Sequence, residues 1–67
     1  MTNSTMLKMI IEASGLKKVY IAKKLGLSYQ GYLKKENGIN DFISSEIKIM
    51  KDLLHLSDKE VTQIFLS

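Results

Sequence analysis

An all-α fold, a bundle of about five short helices in one domain (1–67), is predicted by three features of this 67-residue chain. Apolar residues recur at intervals of three and four and nowhere alternate over the length of a strand. Asn, Ser and Thr stand before these runs and glycines after them, which are the start and stop marks of helices. No proline interrupts the pattern.

The first helix opens at one of Asn3, Ser4 or Thr5. Leu7, Ile10, Ile11 and Ser14 line its inner face, with Met6, Met9 and Ala13 widening it, while Lys8 and Glu12 fall outside. Gly15 stops it. A second short helix buries Ile21, Ala22 and Leu25 and keeps Lys17, Lys18, Lys23 and Lys24 outside. Ala22 is small enough for a neighbouring helix to approach closely. Gly26 allows a positive φ in the turn that follows, and Leu27 plugs that turn into the core. Ser28 caps a third helix over residues 29–36, which Asn37 and Gly38 end.

Residues 39–43 form a connection anchored by Phe42. Ser44 or Ser45 opens the fourth helix, with Ile47, Met50, Leu53 and Leu54 inward and Lys48, Lys51 and Asp52 largely outward. Ser57 and Glu60 make a capping box for the fifth helix, with Leu56 and Val61 as its hydrophobic staple. Val61 and Ile64 point into the core. Phe65 and Leu66 suit either the core or a homodimer seam. The methionines Met6, Met9 and Met50 read as core filler.

Charge is distributed unevenly. Residues 17–38 hold six lysines against one acid, Glu36, a local balance of +5, whereas the whole chain carries +3. Such a stretch is either a solvated face kept for solubility or the footprint of an anionic partner, nucleic acid being the usual one. With no cysteine, neither a disulfide nor a thiolate metal site is available. No apolar run is long enough to span a membrane and the start lacks a secretory pattern, so a cytoplasmic location is expected. The single histidine, His55, near the end of the fourth helix, suits the helix dipole better than catalysis. Asp41, Glu46 and Asp52 are too scattered to suggest a metal site. No enzyme, cofactor or small-molecule substrate is expected.

Ile21-Ala22, Leu25-Gly26-Leu27-Ser28 and Asn37-Gly38, in that spacing, resemble the helix-turn-helix of the Cro and lambda-repressor (Xre-type) family. The likeness extends to the D-F-x-x-x-E-I segment (Asp41, Phe42, Glu46, Ile47) and to a last helix opening L-S-D. In size and ending the chain also resembles small temperate-phage modulators of repression. The resemblance implies a transcriptional regulator of a phage lysis–lysogeny switch. Its third helix would enter the major groove of operator DNA, with a dimer spanning two half-sites. As an antirepressor it would instead bind a partner phage repressor through the same surface.

Carried over by position, Lys18 falls where the family often has a glutamine that holds a phosphate, and Asn37, with its backbone, falls near another. Lys17 is a further basic contact to DNA or a partner, and Ser28 caps the helix that reads. Tyr29, Gln30 and Lys34 face base edges, where Gln30 suits adenine and Lys34 suits guanine acceptors. Three positions depart from the family pattern. Tyr32 replaces a smaller aliphatic residue, Lys35 an apolar one, and Leu33 lies on a face that is polar in DNA readers. Either the helix rotates to bury Tyr32 and Leu33, or Tyr29, Tyr32 and Leu33 stay partly exposed as anchors for a protein partner. Gly31 weakens the helix by about 1 kcal/mol relative to alanine. The chain has no arginine, which removes the commonest contact to guanine.

Overall fold

Five helices follow one another without a strand in the computed structural model, which describes residues 1–66. Ser67, included in the single-domain reading, lies outside the described residues. The helices are α1 (Ser4–Ser14), α2 (Lys18–Lys24), α3 (Tyr29–Glu36), α4 (Ser44–Leu54) and α5 (Asp58–Phe65).

Each start has a local cause. Asn3 caps α1, its Oδ1 accepting from the Met6 amide at 3.1 Å. Ser57 and Glu60 cap α5 reciprocally, serine Oγ accepting from Glu60 N at 3.1 Å and glutamate Oε1 from Ser57 N at 2.9 Å. Helix α4 begins after Ile43, which has no polar side chain, so Glu46 Oε1 reaches back to the Ile43 amide at 3.0 Å. Ser44 is the first residue of α4, as expected, and the cap before it is Ile43.

The helices close on one core. Leu7 and Ile11 of α1, Ile21 and Ala22 of α2, Tyr32 of α3, Met50 and Leu54 of α4, and Ile64 and Phe65 of α5 meet there with Phe42 and Leu56. Helix α1 packs on α3, α4 and α5, while α2 packs on α3 and α4. The Asn3 amide donates to Ile64 O at 2.6 Å, which ties the start of the chain to the last helix. Phe65 therefore belongs to the core, its ring edge-on to Phe42 at 5.3 Å, whereas Leu66 is exposed. Met9 is a correction: it lies on the outer side of α1, exposed, and only Met6 and Met50 fill space inside. Ala13 and Ser14 are likewise exposed, although Ser14 Oγ donates to Ile11 O at 2.6 Å. No helix among the described residues is long and apolar enough to cross a membrane.

His55 has a more specific role than a dipole partner. It adopts φ 53° just past α4, the one non-glycine residue at positive φ among those described. There its amide bonds back to Asp52 O at 3.4 Å and the Leu56 amide to Lys51 O at 2.9 Å, the pattern that satisfies the last carbonyls of a helix. A Cβ costs energy in this conformation, and glycine has none. His55→Gly is expected to stabilise the fold by about 1 kcal/mol, raising the midpoint by roughly 4–8 °C in a thermal melt. A lowered midpoint would contradict this.

Candidate functional site

The basic stretch folds into α2 and α3 joined by a short turn. Gly26 supplies φ 71° there, so that its amide bonds Lys23 O at 3.1 Å and the Leu27 amide bonds Ala22 O at 3.0 Å. Leu27 is half-buried against the core, plugging the turn. Ser28 Oγ accepts from the Gly31 amide at 3.0 Å, and a Cβ at Gly31 would meet that hydroxyl at 3.1 Å. The glycine that weakens the helix also gives its cap room. Gly38, at φ 79°, ends α3 as expected.

The inner face of α3 holds an arrangement that the resemblance did not indicate. Tyr32 and Glu36, one turn apart, are both fully buried, at 0% exposure. Tyr32 Oη donates to Glu36 Oε2 at 2.8 Å, and Lys18 Nζ donates to Glu36 Oε1 at 2.8 Å. The first residue of α2 is thereby fastened to the last residue of α3. Burial, then the hydrogen bond to Glu36 and its negative charge, hold the Tyr32 phenol well above its ordinary ionisation range. The Tyr32 ring also meets Phe42 edge-on at 6.2 Å.

Lys35 is similarly occupied. Its side chain is 16% exposed and its ammonium lies 2.6 Å from Glu46 Oε1, the oxygen that also caps α4. One carboxylate thus joins α3 to α4 and satisfies the start of α4.

These contacts correct several expectations. Tyr32 cannot anchor a partner, because no part of it reaches the surface. Leu33 is half-buried against the core while Tyr32 is fully buried. Lys35 is spent on Glu46. Lys18 remains 37% exposed, but its ammonium is already committed to a buried carboxylate.

What faces outward is narrower. Tyr29, Gln30, Lys34 and Asn37 are exposed along one side of α3, with Lys17 exposed at the start of α2. Asn37 Oδ1 accepts from Lys8 Nζ at 2.7 Å, a contact between the residue capping the end of α3 and α1. Tyr29 shares a groove with Leu16, Lys17, Lys18 and Val19. Ser28 is exposed, with its hydroxyl engaged as the cap. Among the described residues no three His, Asp or Glu side chains converge as metal ligands would.

Sequence reasoning missed the buried pairing of Glu36 and Glu46 with Lys18, Tyr32 and Lys35. A signal existed for each. Glu36 lies four residues after Tyr32 on the inward register of α3, and a buried acid requires a cation. Glu46 occupies the first turn of α4, where a carboxylate can reach the amide that opens the helix. Compared with known families, curated proteins and solved structures, the chain matches no family model, no curated protein and no solved structure.

Removing Lys18 leaves Glu36 buried without its cation, whereas neutralising both partners does not. Lys18→Met should therefore cost about 3 kcal/mol in a denaturant titration. Adding Glu36→Gln, which still accepts from Tyr32, should recover most of that loss. Additive losses in the double variant would show that the pair does not act as one unit. The phenol gives a pH test. Folded Tyr32 holds its proton more tightly than the unfolded residue, so its contribution is whole below about pH 10 and is lost as pH rises beyond that. The tyrosinate absorbance missing from Tyr32→Phe should appear only together with loss of helical circular dichroism; ionisation in the folded state would contradict the burial.

Proposed function

We propose that this chain is a small transcriptional regulator of the phage helix-turn-helix kind, binding operator DNA through the outward face of α3. The observation that carries the reading is the pairing of Gln30 and Lys34. They lie one helical turn apart on that face, both exposed, with neither side chain bonded elsewhere in the described chain. A glutamine amide matches the donor and acceptor of adenine, and a lysine ammonium matches the two acceptors of guanine.

The surroundings support this role. Lys17 at the start of α2 is placed to neutralise a phosphate, and Tyr29 offers an apolar ring beside Gln30 for a thymine methyl. Helix α3 is fixed at both ends, by the Ser28 cap and by Glu36, which suits a side chain that must hold register against base edges. The same fixation changes one assignment. Lys18, matched by position to a phosphate contact, stabilises Glu36, and Lys17 takes the electrostatic part.

A second reading rests on a separate feature. Val19 is 62% exposed and Tyr29 44%, and both border one groove beside Leu16. An apolar strip next to a cationic rim suits a protein surface, as an antirepressor docking on a phage repressor would need.

Selection of bound duplexes from a randomised pool separates the readings. Direct recognition predicts an enriched motif, and Gln30→Ala or Lys34→Ala should each relax one position of it, at about 1–3 kcal/mol of discrimination. No enriched motif for the protein alone, with an effect seen only when a repressor is added, would overturn the first reading in favour of the second.

A further inference from the structure

We infer that α1 carries a self-complementary seam through which two copies of this chain associate, the two helices running antiparallel. The seam is the apolar strip of Met6, Met9, Ile10 and Ala13, and it does not rest on the DNA-binding reading of α3. Spaced three or four residues apart, the four share one side of α1, roughly a third of a turn round from Leu7 and Ile11. Leu7 and Ile11 fill the core, whereas Met6 and Ile10 are only partly buried at its edge. Met9 is 67% exposed, and Ala13 is exposed beside it. The apolar pattern of α1 is thus wider than its own domain covers, and the excess forms one continuous strip.

The charges beside the strip decide what covers it. Lys8 and Glu12, both exposed, border it on one flank. Neither belongs to an ion pair among those described. Lys8 donates to Asn37 Oδ1 at 2.7 Å, which uses one of its three ammonium donors. Between antiparallel helices the same flank of each faces the other. A second α1 crossing near Met9 and Ile10 therefore brings Lys8 of one copy beside Glu12 of the other, and the twofold axis repeats the pair. Met6 of one copy then lies opposite Ala13 of the other, a long flexible side chain against a small one. A parallel pairing would set Met6 against Met6 and Ala13 against Ala13, and would bring no opposite charges together.

A second copy fits better than a nucleic acid because the strip is apolar and its flanking charges sum to zero. It fits better than an unrelated protein because the complement of each feature, acid for base and small for large, is already present on the same helix. The contact is small. Helix α1 has 11 residues and is about 16 Å long, so one such helix from each copy buries less than the roughly 1,600 Å² of a stable interface. The dimer is accordingly weak and depends on concentration.

The test is sedimentation equilibrium of the full chain at low salt, from micromolar to near-millimolar concentration. The wild-type protein should pass from monomer to dimer within that range. Met9→Gln should raise the dissociation constant about ten-fold, since each dimer buries two such side chains. Glu12→Lys sets like charges together and should raise it by at least about ten-fold. Lys8→Glu/Glu12→Lys exchanges the two charges and should restore association to near the wild-type level. Thermal melts of each variant show that the monomer fold is intact when the constants are compared. A monomer at every concentration overturns the inference, as does a dimer indifferent to Met9→Gln but broken by Leu66→Ser, which would place the seam at the end of α5. Failure of the exchanged pair to restore what Glu12→Lys removes overturns the antiparallel arrangement. None of these outcomes bears on the α3 face.

Discussion

A fully buried carboxylate, that of Glu36, is the constraint around which the α2–α3 pair is built. An ionised group inside a small helical core is tolerated only with a cation and hydrogen-bond donors around it. Lys18 and Tyr32 meet that need from two different helices. Satisfying the charge therefore fixes where α2 begins relative to where α3 ends, and the short turn at Gly26 fixes the other end of the pair. The outward side of α3 becomes a rigid platform as a consequence. Glu46 repeats the device on a smaller scale, drawing Lys35 inward while it caps α4.

This economy changes the meaning of the charge count. Counted along the sequence, residues 17–38 carry +5. In space Glu36 and Glu46 each hold one of those lysines, and Glu46 comes from outside the stretch altogether. The cations left for a partner are Lys17, Lys23, Lys24 and Lys34. They divide between the outward face of α3 with the start of α2, and the end of α2.

The helices were legible in the sequence because their signals are local: Asn3, Ser28 and Ser57 as caps, Gly15, Gly26 and Gly38 as stops, and apolar spacing between them. The start of α4 was less legible, since its cap is the side chain of Glu46 and not a serine. Met9 was misplaced because the inner face of α1 is narrower than its apolar pattern, and the core leaves that side to solvent. The exposure of the candidate residues was legible only in part, for a similar reason. Tyr29, Gln30, Lys34, Asn37 and Lys17 are exposed as expected. Lys18 and Lys35 are not free, because their partners lie on other helices and become visible only once α2, α3 and α4 are packed, whereas Tyr32 is held by Glu36 one turn further along α3. Long-range ion pairs leave no periodic trace, whereas caps and turns do.

The central claim is that the outward face of α3, held in place by Glu36, is the surface that meets DNA. Backbone amide resonances followed during titration with a duplex carrying the selected motif test this most directly. The account predicts the largest shifts at Tyr29, Gln30, Lys34 and Asn37, a smaller one at Lys17, and little change at Met50 or Ile64 in the core. Shifts centred on α4 and α5, with α3 unaffected, would contradict it.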